Sequence, residues 1–224
     1  MKIGVSRCLL GDNVRYDGRA KYSSLCSTLA SEFELVSVCP EVEAGGSVPR
    51  PPIELIQFQN EVRAVGRDDS SIDMTHAIRS FTRQKLFALK GLAGFVVATR
   101  SPSCGFNSVS LKNSNGYVIK LDSSGLFTSA FEERYPGLPI IEEVSLGSRH
   151  AFLSYQIKVI SYHQFINNSC EVRAYICQLL QMNNSPLVAE SVVRLMALLH
   201  NILKQLDLAQ LSSLLKTLID SINE

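Results

Sequence analysis

Three of the six cysteines in this 224-residue chain sit in surroundings suited to reactive or metal-binding sulfur. Cys8 opens the run Cys-Leu-Leu-Gly-Asp-Asn-Val-Arg-Tyr-Asp-Gly, Cys39 opens Cys-Pro-Glu-Val, and Cys104 lies within Ser-Pro-Ser-Cys-Gly. Proline and glycine beside each sulfur predict sharp turns with free backbone N–H groups, which can donate hydrogen bonds to sulfur and tune a cluster. The chemistries in question are metal binding and thiolate catalysis. The competing reading is burial, since a lone cysteine is most often small apolar core filler. Cys26, Cys170 and Cys177 have no such surroundings and receive no role. Cys170 and Cys177 lie seven apart on a predicted helix, a spacing that suits packing better than a metal site. No Cys-x-x-Cys pair occurs, which counts against a dithiol oxidoreductase or sulfur carrier. The four histidines form no motif.

The elements that must position these sulfurs follow from apolar periodicity. Residues 3–6, 34–38 and 94–99 read as short strands of the kind buried in a parallel sheet. Residues 23–33 and 73–89 read as helices, the second with Asp73 as N-cap. Met74, Ala77, Ile78, Phe81 and Leu89 fall close to one face of it. Residues 54–66 predict a hairpin turning at Gln59-Asn60, and residues 117–121 one more strand. This alternation predicts an α/β fold, a three-layer Rossmann-like sandwich with a mostly parallel sheet. Cys8, Cys39 and Cys104 each follow one of the first three strands. In an open parallel sheet the loops beyond the strand C-terminal ends share one edge, where ligands bind. Three cysteines far apart in sequence are thereby brought within reach of one another.

The character changes near residue 148. Residues 152–165, 171–182, 187–206 and 208–222 read as helices, with Ser185-Pro186 and Asp207/Gln210 as helix-start signals. The expected organisation is an α/β domain over residues 1–147 and a small helical annex over 148–224. Hydrophobic residues make up 46% and charged residues 19%, so a packed core is expected and long disorder is not. A net charge of +1 neither recruits nor excludes nucleic acid, because clustering decides that. The N-terminal apolar run is too short for a signal peptide, and no stretch is long enough to span a bilayer. A cytoplasmic protein is expected, with no membrane partner and with reduced cysteines.

The strings at residues 8–18 (CLLGDNVRYDG), 39–55 (CPEVEAGGSVPRPPIEL) and 101–105 (SPSCG) together resemble the thiouracil desulfidase (TudS-like) family. The resemblance extends over residues 1 to about 145, a common domain size. Residues 159–165 and 199–215 further resemble pieces of the helical domain of RudS-type RNA 4-thiouridine desulfidases, in shortened form. The family resemblance implies a [4Fe–4S] cluster held by Cys8, Cys39 and Cys104, which would be its metal and cofactor ligands. Three ligands leave one iron open to a thiocarbonyl sulfur. The implied reaction is hydrolytic: hydrosulfide leaves and the oxo-pyrimidine remains. The implied substrate is a small thiolated pyrimidine such as 2-thiouracil, or tRNA containing 4-thiouridine.

Around that centre, Glu41 is the first choice for general acid/base, with a cap role as its alternative. Ser101 and Ser103 are candidates for hydrogen bonds to the substrate carbonyl or the departing sulfur, or for shaping the turn at Pro102. Asp17 is a candidate to fix its loop or bind the base. Arg15, Arg50 and Arg100 could meet an anion or form ion pairs. Ser123-Ser124-Gly125 stands where the resemblance implies a glycine-rich turn, and serines there could narrow the pocket. The rival function is a non-catalytic RNA-binding module with a structural metal or Fe–S site. It would require a basic, aromatic surface, of which Arg79, Arg83 and Lys90 supply a weak version.

Overall fold

The computed structural model describes residues 1–167. Cys170, Cys177 and the helices expected over 171–182, 187–206 and 208–222 lie outside the described residues. The chain divides into two units, Met1–Gly147 and Ser148–Glu224.

The first unit is built on two four-stranded sheets. In the first, β1 (Lys2–Ser6), β2 (Glu34–Val38), β5 (Leu92–Val97) and β8 (Ile140–Glu142) run parallel in the order β2-β1-β5-β8. Every residue of β5 is buried, which is why its sequence, Leu-Ala-Gly-Phe-Val-Val, shows no polar alternation. Gly4 on β1 makes room for its neighbour: a Cβ there would lie 2.3 Å from the Phe95 ring. The chain steps from β1 to β2 on one side and later to β5 on the other. The strand order therefore reverses between β1 and β5, the place where open α/β sheets form a ligand crevice.

The second sheet is mixed, and the sequence showed only part of it. β3 (Ile53–Phe58) and β4 (Glu61–Gly66) form the expected hairpin. β6 (Val109–Asn113) lies parallel to β3, and β7 (Val118–Ser123) closes the order β4-β3-β6-β7. A lone hairpin is marginal in water, so β6 and β7 complete a sheet that can bury a face. Helices α3 (Thr75–Ala88) and α4 (Leu126–Arg134) supply the apolar surface between the two sheets. Ile78 of α3 packs with Leu55, Ala64 and Leu111 of the mixed sheet. Phe127 and Phe131 of α4 meet Phe95 of the parallel sheet at 5.9 and 5.5 Å between ring centroids. The α/β class and the mostly parallel sheet are as expected; the second sheet is the addition.

Helix α3 starts two residues after the expected position. Its N-cap is Met74 rather than the expected Asp73, whose carboxylate accepts the Thr75 N–H at 2.8 Å from one residue earlier. Helix α1 (Ser24–Leu29) is shorter than expected, because residues 30–33 close as turns onto residues 27–29. In the second unit, α5 spans Arg149–Asn167. Among the described residues, no helix is long and apolar enough to cross a membrane.

Candidate functional site

Each of the three singled-out cysteines occupies a strand end of the parallel sheet. Cys8 lies in a short 3-10 helix, Arg7–Leu10, directly after β1. Cys39 directly follows β2 and precedes the single-turn helix α2 (Pro40–Glu43), whose first residue is proline, with φ pre-set for a helix start. Cys104 lies in the loop that follows β5. All three line one cleft of about 390 Å³, and all three are free thiols. Cys26, in contrast, is fully buried in α1, as the core-filler reading has it.

Burial pushes these thiols up: Cys8 to about 11, and Cys104 further still. The charge of Cys39 raises both, and that of Cys8 raises Cys104. Three mutually opposed buried thiolates call for a cationic partner. Among the described residues, no group of three or more His, Cys, Asp or Glu side chains is arranged to hold a metal ion. The three sulfurs line the same hollow. Soft thiolates of this kind suit an iron–sulfur group, which Cys8, Cys39 and Cys104 would hold.

Beside the cysteines runs a buried polar chain. Arg50 reaches Glu41 through Nε (2.9 Å) and Nη2 (2.7 Å), both on Oε2. The other Glu41 oxygen accepts the Ser103 hydroxyl at 2.5 Å. The Ser103 O–H is committed to Glu41, so Ser101, 3.1 Å away, donates to Ser103. The Cys104 N–H in turn donates to Ser101 at 3.1 Å. Glu41 is 9% exposed and Ser103 1%, so this is a desolvated network in which such bonds strengthen one another.

The Cys104 loop is held from outside by two adjacent glutamates that the sequence reading missed. Glu143 accepts the Thr99 N–H and hydroxyl, both at 2.8 Å, and its second oxygen pairs with Lys21. Glu142 accepts the Phe106 N–H at 3.0 Å and the Ser108 hydroxyl. Both ends of the loop are therefore fixed to the end of β8. The bends at Arg100 and Asn107 carry φ of 60° and 54°, left-handed conformations that persist in non-glycine residues only where surroundings impose them. The available signal was the pair of carboxylates ending a short apolar strand.

Not every expected residue lines the cleft. Glu41, Ser101 and Ser103 do. Asp17 stands behind it, accepting the Arg19 N–H at 3.1 Å and pairing with Arg15 at 3.5 Å. Arg50 is committed to Glu41 and to the carbonyls of Val14 and Ser47, so it is a structural cation and not an anion receptor. Arg100 lines the cleft with no side-chain partner among the described residues. Ser123 and Ser124 do not narrow the cleft; they line a separate depression beside α3 and α4. Gly125 after them is the residue that matters. Its N–H donates to the Gly105 carbonyl at 2.8 Å, and an added Cβ would meet the Ser103 carbonyl carbon at 2.4 Å.

Comparison with known proteins converges on this half of the chain. A family profile described as 2-thiouracil desulfurase matches residues 3–143, a span that contains every residue of the cleft. The uncharacterized protein YbbK of Bacillus subtilis (strain 168) is 29% identical over 151 residues, covering 63% of this chain and 95% of its own. A solved structure, that of a [4Fe-4S]-dependent thiouracil desulfidase, TudS, matches with a TM-score of 0.55 at 29% identity. It covers 70% of this chain and 98% of the other.

Proposed function

Because the chain belongs to the 2-thiouracil desulfurase family, we propose that its cleft removes sulfur from a thiolated uracil at a [4Fe–4S] cluster held by Cys8, Cys39 and Cys104. One observation carries the reading: three free thiols from three strand ends share a single cleft with a buried Glu41–Ser103 pair. The cluster, when bound, supplies a Lewis-acidic iron without a protein ligand, suited to the soft sulfur of a thiocarbonyl.

The reaction is thiocarbonyl plus water giving carbonyl, hydrosulfide and a proton, with no net oxidation. The protein's task is to move that proton. Ser101 commits its O–H to Ser103 and one lone pair to the Cys104 N–H, and its second lone pair accepts a hydrogen bond from the attacking water. The proton passes along Ser101 and Ser103 to Glu41, the general base. Arg50 holds Glu41 in place on its far oxygen. Lys21 and Arg100 give the cleft positive charge against the three thiolates and the leaving hydrosulfide. Asp17 acts at one remove by restraining Arg15. The substrate range proposed is 2-thiouracil or 4-thiouridine, free or within tRNA, with residues 148–224 bearing on the RNA case. Free thiols of this kind suit a reducing cytoplasm.

Iron and acid-labile sulfide are to be counted after anaerobic reconstitution of the native chain and of Cys8→Ala, Cys39→Ala, Cys104→Ala and Cys26→Ala. About four of each per chain is expected, lost in the first three variants and kept in the last. Hydrosulfide release is then measured with 2-thiouracil, 4-thiouridine and 4-thiouridine tRNA. Glu41→Gln, which keeps its volume and one acceptor, should lose about 10²- to 10⁴-fold in kcat. Iron that binds equally well without the three cysteines sinks the mechanism and favours an RNA-binding module.

A further inference from the structure

We propose that Tyr16 is the wall on which the substrate ring stacks, an inference that rests on the thiolated-pyrimidine reading above. Tyr16 is the one aromatic residue lining the cleft among the described residues. The apolar remainder of the lining is aliphatic and small, with Val14, Val38, Ala98 and Pro102. Such side chains exclude water but do not select a flat ring. Tyr16 is 39% exposed, so part of its ring surface is open to a ligand.

Its position is fixed by the machinery that holds the base. The Tyr16 carbonyl accepts the Arg50 N–H at 2.9 Å, and the Arg50 guanidinium donates to the Val14 carbonyl at 3.0 Å. The same guanidinium holds Glu41. The strand of loop carrying Tyr16 is thus tied to the proton acceptor, and a ring resting on it inherits that register. The Arg15 guanidinium lies 5.6 Å from the Tyr16 ring centroid, and Asp17 tethers Arg15. Three consecutive residues thereby form one unit: an anchor, a cation over the ring, and the ring itself. The role also explains why Asp17, which stands outside the cleft, belongs to the site.

A thiolated uracil offers little besides its plane. Its hydrogen-bonding edge is small, and water must approach the thiocarbonyl carbon from a face of the ring. Productive attack requires the plane to be set relative to Glu41 and Ser101. Aromatic stacking does this without reading substituents, because every pyrimidine has a π-face. The ligand class assigned is therefore a planar, conjugated thio-oxo ring, and a puckered saturated ring is disfavoured.

The test uses the reconstituted full chain and four proteins: native, Tyr16→Phe, Tyr16→Leu and Tyr16→Ala. Hydrosulfide release is measured with 2-thiouracil and with its 5,6-dihydro analogue, whose ring is not planar, and uracil is titrated as product inhibitor. Tyr16→Leu and Tyr16→Ala should raise KM for 2-thiouracil and the inhibition constant of uracil about tenfold. Their kcat should fall as well, by several-fold, because the ring plane is no longer set for attack. Tyr16→Phe, which keeps the ring, should hold KM near the native value. The preference for 2-thiouracil over the dihydro analogue should shrink in the leucine variant. Iron content is measured in each, so that a poorly loaded variant is recognised by counting. A leucine variant with native KM and native uracil inhibition overturns the stacking role alone. A native chain that carries its cluster yet releases no hydrosulfide overturns the desulfidase reading, and the stacking role with it.

Discussion

Cys8, Cys39 and Cys104 are thiols that the fold makes reluctant to ionise. Burial and mutual repulsion lift Cys8 from 9.0 to about 11, a shift that links its titration to stability. Below pH 9 the thiol is protonated in both folded and unfolded chains, and the folded state is not penalised. Between about 9 and 11 the unfolded chain releases a proton that the folded chain retains, so stability falls as pH rises. For the metal-free protein this loss should reach on the order of 2 kcal/mol at the upper end. Urea denaturation at pH 8, 9, 10 and 11, compared with Cys8→Ala, checks it. The variant's curve should decline less steeply over that window, and parallel curves would refute the assignment. Glu41 is a different kind of residue. Its sequence neighbourhood marked it as chemically interesting, but its partners Arg50 and Ser103, nine and sixty-two positions away, were beyond any local pattern.

Among the elements, the Cys104 loop and the start of α4 form one piece. Leu126 and Phe127 donate their N–H groups to the carbonyls of Pro102 (3.1 Å) and Ser103 (3.0 Å), and the Thr128 hydroxyl donates to the Cys104 carbonyl at 2.6 Å. Gly125 permits that approach, because the backbone of Ser103 and Cys104 occupies the space a side chain would need. Gly125→Ala should therefore push the loop off α4, disturbing Ser103 and Cys104 together. The expected result is at least a tenfold loss of hydrosulfide release and a thermal midpoint lower by several degrees, the latter from about 1–3 kcal/mol of overpacking. Circular dichroism melts and iron counting on the same sample check it. Retained loading with native stability would show that the loop tolerates the shift.

In the whole first unit, the parallel sheet and the mixed sheet share a helical layer whose centre is Phe127. It is 1% exposed and meets Phe81, Phe95 and Phe131 at 6.0, 5.9 and 4.8 Å. Phe127→Ala removes a ring from contact with three others, and a well-packed site collapses only partly into the space. The expected cost is about 3–5 kcal/mol, a fall of roughly 10 °C in thermal midpoint for a chain of this size. Differential scanning calorimetry of the metal-free protein measures it without interference from cluster loss. A change below about 1 kcal/mol would mean that Phe127 does not join the two sheets.

The amino-acid sequence by itself singled out three sulfurs and the elements that carry them, and the structure gathers all three in one cleft. Proline and glycine beside Cys8, Cys39 and Cys104 are local signals, and the apolar runs of β1 and β5 are legible because burial on both faces removes polar alternation. Hairpin β3–β4 was legible for the same local reason, from its Gln59-Asn60 turn. Only the tertiary structure decided what surrounds those sulfurs. Strand β8 is three residues long, too short for periodicity to register, and β6, Val-Ser-Leu-Lys-Asn, carries only two apolar positions. Arg50, Lys21, Glu142 and Glu143 acquire their roles from partners that chain order keeps far apart. An ion pair or a buried hydrogen bond depends on distance and desolvation, and neither quantity is written in the order of residues. The fold sets both when it brings the ends of β1, β2, β5 and β8 to one edge.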